Sequence, residues 1–203
     1  MTRYSANDDF FYSDLRVPRN KYNIKDEAFL DAVETYLLSE AYSSVLKMKN
    51  FIISKNALLS IHSLIFEKVF DWAGKFRQID ISKGKTYFAN WKYIDSLIDK
   101  WSDDSSKLLL MQSKRETKEE IADKLAVILI EFLAIHPFRD GNGRTIRLVV
   151  DKIAFDRGYE LLLINQSLNK NFINKYMKAS EKGVLQKNYA PMAKIIMSQL
   201  SHK

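Results

Sequence analysis

The sequence predicts a mostly α-helical single domain, a helical bundle that carries one short β-hairpin. Three observations lead there. Glycine and proline are scarce, six and three in 203 residues, so the chain has few places to turn sharply, which favours helices over a sandwich or barrel. Apolar residues recur at helical spacing through most of the length. Only residues 77–89 read as strand, turn, strand.

The elements follow in order. Residues 1–22 are polar and aromatic, with Pro18 and Asn20, and read as an irregular arm. Residues 25–48 carry Phe29, Leu30, Val33, Tyr36, Leu37 and Tyr42 at helical spacing, as an amphipathic helix or two. Ser54 is an N-cap candidate for a helix over 55–70 that stops at Gly74. Phe76, Ile79 and Ile81 lead into a Lys-Gly-Lys turn and then Tyr87 and Phe88. An isolated hairpin is marginal in water, so this one must lie on helices. Two helices follow, over 91–112 and 116–135. The second is acidic at its start and almost wholly apolar from Leu125 to Ile135, the mark of a buried helix. It must end at His136, because Pro137 disfavours helical geometry in the residue before it. A further helix starts near Asn142 or Gly143 and runs to Gly158, a C′ glycine. One or two helices close the chain. With no repeat or linker evident, the expected organisation is an arm (1–22), one domain (23–197) and a short tail (198–203).

Composition narrows the function classes. Apolar residues make up 46%, enough for a real core. There is no cysteine, which excludes disulfides, thiolate metal sites and a cysteine nucleophile. The net charge is +7, but no run of five basic residues occurs. Diffuse lysine on solvated faces fits better than a nucleic-acid stripe, and a basic bias also suits a polyphosphate ligand or an acidic partner. The first 23 residues do not read as a signal peptide, and no apolar run approaches the ~18 residues that span a bilayer. The expected location is cytoplasmic, with export by a route without a cleaved signal left open.

The stretch His136-Pro-Phe-Arg-Asp140-Gly-Asn-Gly-Arg144 concentrates the scarce residues. A turn alone needs Gly and Pro, not a His, an Asp, an Asn and two Arg as well. The loop joins a buried helix to the start of the next one, where backbone N–H groups and the macrodipole favour an anion. Gly141 and Gly143 let an anion approach the backbone. Arg144 and Arg147 share a face three residues apart and suit a di- or triphosphate. Asp140 beside such an anion implies an intervening cation, and Mg²⁺ bound by one carboxylate plus phosphate oxygens fits. The Asn142 amide can donate to a phosphoryl oxygen. His136, with an ordinary pKa near ~6.5, can act as general base toward a hydroxyl. Phe138 reads as an apolar plug anchoring the loop. These residues do not settle which phosphate is attacked.

The stretch from His136 to Arg147 resembles the signature of Fic-domain proteins, His-x-Phe-x-Asp/Glu-Gly-Asn-Gly-Arg-x-x-Arg, at every fixed position. Ile61-His62 through Trp72-Ala73-Gly74 to Arg77 is similar to the family as well. Lys85-Thr86-Tyr87-Phe88-Ala89 is similar to its flap hairpin. The likeness covers roughly residues 20–195. It implies the helical Fic fold and transfer of AMP from ATP to a Ser, Thr or Tyr hydroxyl of a target protein, with release of pyrophosphate. It further implies His136 as base, Asp140 on Mg²⁺, Gly141, Asn142 and Gly143 on the α- and β-phosphates, Arg144 on the β-phosphate and Arg147 on the γ-phosphate. Thr86, Tyr87, Phe88 and Ala89 would pair with an extended target segment. Kinase or other nucleotidyl chemistry, or a non-enzymatic nucleotide-binding or toxin-partner module, are the alternatives. Many family members carry an inhibitory Ser/Thr-x-x-x-Glu-Gly/Asn helix. Here only Ser63 to Glu67 fits its first five positions, and Lys68 follows. The expectation is therefore that a small separate antitoxin-like chain supplies a Glu to Arg147, or that control works another way.

Overall fold

The computed structural model describes residues 9–13, 15, 17–84, 86–111, 116–162, 164 and 170–202. Lys85 of the expected flap, the first eight residues of the arm and Lys203 of the expected tail lie outside the described residues. The described chain folds as α1 (Glu27–Leu46), α2 (Lys55–Phe66), β1 (Ser82–Lys83), β2 (Thr86–Tyr87), α3 (Ile94–Leu110), α4 (Lys118–Ile135), α5 (Asn142–Asp156), α6 (Lys170–Gln186) and α7 (Ala190–Gln199). The mostly helical expectation with a two-stranded antiparallel hairpin holds.

Side chains fix the helix starts. Asp26 accepts from Phe29 N–H and Ser54 from Ala57 N–H. Thr117 and Glu120 form a reciprocal capping box at α4, so two otherwise orphaned donors are satisfied. Residues 27–46 form one continuous helix, not two. The helix begun at Ser54 ends at Phe66, short of the expected Phe70, and turns carry the chain on to Gly74. Apolar periodicity misplaced that end because Val69 and Phe70 are buried from the turn. The hairpin is also shorter than expected, with Ser82 opposite Tyr87 and Lys83 opposite Thr86. In contrast, α6 continues through Gly183 to Gln186.

α4 is the hub. α3, α5, α6 and α7 all pack on it, and Leu125, Ala126, Leu129, Ile130 and Phe132 on its length are wholly buried. Trp101 of α3 donates its indole N–H to the Ile128 carbonyl at 3.1 Å. At Gly183 of α6, an added Cβ would stand 2.6 Å from Ile130, so the glycine sets how closely α6 approaches the hub. α1 lies on α2 and α5. The loop after α4 therefore leaves the centre of the molecule with packed helices around it.

Candidate active site

The site is built around the end of the hub helix. His136 caps α4 in the left-handed conformation, φ 55°. That geometry is uncommon for a residue with a Cβ, and it turns the chain out of the helix just before Pro137. The His136 Nδ1 lies 2.9 Å from the Leu133 carbonyl. A carbonyl only accepts, so Nδ1 carries the proton and the lone pair sits on Nε2. Burial pushes the imidazole down to about 3. Lys83 and Arg77 push the same way, against the Leu133 hydrogen bond and Asp140. The neutral, proton-accepting form is thus the one present at neutral pH.

Arg77 ties this corner together. Its Nε donates to the His136 carbonyl at 2.8 Å, Nη2 reaches the Ile135 carbonyl and Nη1 donates to Ile79 at 2.6 Å. The terminal carbonyls of α4 thereby gain donors, and a cation stands at the negative end of the helix. Burial lowers the Arg77 pKa to about 10, so it stays charged. Arg77 also donates to the Ala89 carbonyl, which fixes the hairpin to the loop.

Phe138 is fully buried, as expected. It stacks on His62 with centroids 3.7 Å apart and planes 7° apart. His62 accepts the Gly74 N–H on Nδ1 at 2.8 Å, so its Nε2 carries the proton and donates to the Asp140 carbonyl at 3.1 Å. Burial pushes His62 down to about 3 as well. One neutral ring therefore holds both the plug and the backbone of the loop from α2.

Asn142 departs from expectation. Its Oδ1 accepts the Phe138 N–H and its Nδ2 donates to the Phe138 carbonyl, both at 2.8 Å, and the residue is fully buried. The side chain closes the loop on itself. Gly141 has φ +78°, and a Cβ there would stand 2.3 Å from the Phe66 ring. Its N–H donates to Asp140 Oδ1 at 2.7 Å. α5 begins at Gly141 without a side-chain cap, unlike α1, α2 and α4. The starts of α3 and α7 lack a side-chain cap too, but only that of α5 lies beside His136 and the two arginines. Arg147 lies against Gly143, where a Cβ would meet its guanidinium at 2.8 Å, and donates to the Tyr176 hydroxyl of α6.

Arg144 holds the least expected contact. Its Nη1 pairs with Glu34 of α1, its guanidinium carbon lies 4.5 Å above the Phe66 ring, and Nη2 is 3.9 Å from Asp140 Oδ1. Lys83 of β1 is half-buried; burial lowers its pKa, Asp140 raises it and Arg147 lowers it. Two carboxylates, Asp140 and Glu34, two arginines and a lysine thus converge on one helix start. Among the described residues no group of three His, Cys, Asp or Glu side chains could hold a metal. Asp140 as a single protein ligand would still suit Mg²⁺, which takes most of its other ligands from phosphates and water.

The flap meets the loop through Phe88, whose ring stacks on His136 at 3.9 Å and 19°. The Phe88 N–H donates to the Ile81 carbonyl at 3.4 Å, and Ala89 gives its carbonyl to Arg77. These two are committed to the flap's own frame. Of the four residues expected at the docking edge, Thr86 and Tyr87 alone lie in the strand, and Tyr87 is 84% exposed. The sequence reading missed Arg77, His62 and Glu34 as parts of the site. Each is a polar residue buried by tertiary packing, and none carries a local signal of that burial.

This chain belongs to the Fic/DOC family, whose model matches residues 52–154. It is 32% identical over 168 residues to the probable protein adenylyltransferase y4lH of Sinorhizobium fredii, covering 79% of this chain and 83% of that one. It is 27% identical over 161 residues to the probable protein adenylyltransferase Fic of Escherichia coli, covering 76% of each. The solved structure of the effector BepC with bound AMPPNP, from Bartonella tribocorum, shares the fold. It has a TM-score of 0.78 at 20% identity, over 96% of this chain and 97% of that one.

Proposed function

We propose that this chain transfers AMP from ATP to a Ser, Thr or Tyr hydroxyl of a target protein. The hydroxyl oxygen attacks the α-phosphorus, the bond to the α,β-bridging oxygen breaks, and pyrophosphate leaves. The hydroxyl proton passes to His136 Nε2. The observation that carries the reading is the pairing of that proton-accepting tautomer with the uncapped start of α5. A base is needed to activate a hydroxyl and is not needed to bind a nucleotide. Family membership and the names of the relatives support the same chemistry.

The roles of the residues follow from their places. The backbone at the start of α5 takes the α- and β-phosphates. Arg144 takes the β-phosphate and Arg147 the γ-phosphate. Asp140 holds Mg²⁺, which would neutralise phosphate charge when bound. Asn142 and Phe138 keep the loop in shape, and Phe88 covers the base until a target segment pairs with Thr86 and Tyr87. Control by a small separate chain accords with Ser63 and Glu67, the nearest approach to an inhibitory motif, hydrogen-bonding each other at the end of α2.

The test is incubation of the purified chain with Mg²⁺, cell lysate and ATP labelled at the α- or the γ-phosphate, beside a His136→Ala control. Label from the α-position only, lost in the variant, is the expected result. Label from the γ-position would make the chain a kinase and overturn the proposal.

A further inference from the structure

The matched family segment starts at residue 52, yet one charged contact inside the phosphate site comes from α1, which precedes it. Glu34 is 4% exposed and pairs with Arg144 Nη1. Its other oxygen, Oε1, is buried with no hydrogen-bond partner among the described residues. From this juxtaposition we infer that Glu34 is a positioning residue: it holds the Arg144 guanidinium in the pose that meets the β-phosphate. The inference rests on the nucleotide reading given above.

Arg144 has five N–H donors in a planar fork, and Glu34 engages Nη1. Phe66 fixes the plane of the fork from below, and Nη2 points toward Asp140. The guanidinium is thus oriented by groups on α1, α2 and the loop. α1 cannot shift freely to release it. Two turns further along the same helix pair, the Tyr42 hydroxyl donates to Asp151 of α5 at 2.6 Å, and Asp151 also accepts the Leu162 N–H at 2.7 Å. Two buried polar links at matching intervals set the register of α1 on α5.

The same burial decides between holding and competing. A phosphate that pulled Arg144 away from Glu34 would leave an uncompensated carboxylate in the interior, which is strongly unfavourable. The pair therefore stays together when nucleotide binds, and Arg144 meets the phosphate from that pose.

The experiment is calorimetric titration of AMP, ADP and ATP, with Mg²⁺, into the full chain and into Glu34→Gln, with Glu34→Asp as the milder variant should Gln disturb folding. Binding of ADP and ATP should weaken on the order of tenfold, while AMP, which lacks the β-phosphate, binds as before. In an Arg144→Ala background, Glu34→Gln should change ADP binding no further. Equal weakening for all three nucleotides would make Glu34 a purely structural residue and overturn the inference. Unchanged or tighter ATP binding would overturn it too, by making Glu34 a bystander or a competitor. Failure of the unaltered chain to bind any nucleotide would instead sink the functional reading, and the positioning role with it.

Discussion

His136 and His62 are neutral, buried imidazoles, each tied at Nδ1 or Nε2 to a backbone carbonyl. Removing the first, in His136→Ala, should abolish AMP transfer while ATP binding stays close to normal, because the base acts on the attacking hydroxyl. Calorimetry beside the transfer assay separates the two effects. Burial holds both rings at a pKa of about 3, against about 6.5 in an unfolded chain. The unfolded state therefore binds more protons between those values. Stability is full above pH ~6.5 and falls by roughly 1.4 kcal/mol per pH unit for each ring as the pH drops toward 3. Urea midpoints at pH 7 and pH 5 should show that loss, and His62→Asn should flatten the slope. Phe138→Ala removes a wholly buried ring and should cost about 3–5 kcal/mol by urea unfolding. Residue identity made the burial of Phe138 legible in the sequence. The clasp of Asn142 on Phe138 was not, since an amide that closes its own loop looks the same in sequence as one that binds a ligand.

Among the elements, the start of α5 is the one whose sequence and geometry agree most closely. Gly141 has a positive φ and leaves no space beside Phe66. Gly141→Ala should displace the loop, so that nucleotide binding falls below detection in the same titration that reads the native chain. The helices were legible because caps and apolar periods are local: Ser54 and Gly158 mark ends that the structure keeps. The hairpin was legible as an element but not in extent. Its pairing stops after two residues on each side, because Arg77 draws Ile79 and Ala89 toward the end of α4. No local pattern announces that a distant helix end will compete for those carbonyls. Replacing exposed Tyr87 by proline removes one N–H from the strand edge. Modification of the target should be lost while ATP binding is retained, a split read by the label assay and calorimetry together.

At the scale of the whole molecule, the apolar length of α4 foretold a central helix, and the structure surrounds it on all sides. What surrounds it was not foretold, because which helix meets which depends on shape along whole faces. Gly183 shows this. It reads as a helix end, but it lies inside α6 where the backbone passes closest to Ile130. Gly183→Ala should therefore destabilise the fold by roughly 1–3 kcal/mol through overcrowding, against the gain in helix propensity expected for an exposed glycine, and thermal unfolding reads the sign. The link from Glu34 to Arg144 spans 110 residues of chain, beyond the reach of any motif. The buried clasp of Asn142 on Phe138 bears on chemical ageing. Asn followed by Gly, as at 142 and 143, is the pair most prone to lose its amide, because the next N–H can attack the side-chain carbonyl when the chain is loose. Held at both ends inside the fold, Asn142 is shielded from that attack. Each spell of unfolding exposes it, and an acid formed there would set a carboxylate against the Phe138 carbonyl with no way back. Stored or heated protein should therefore lose its activity through this one position, at a rate set by how often the molecule opens.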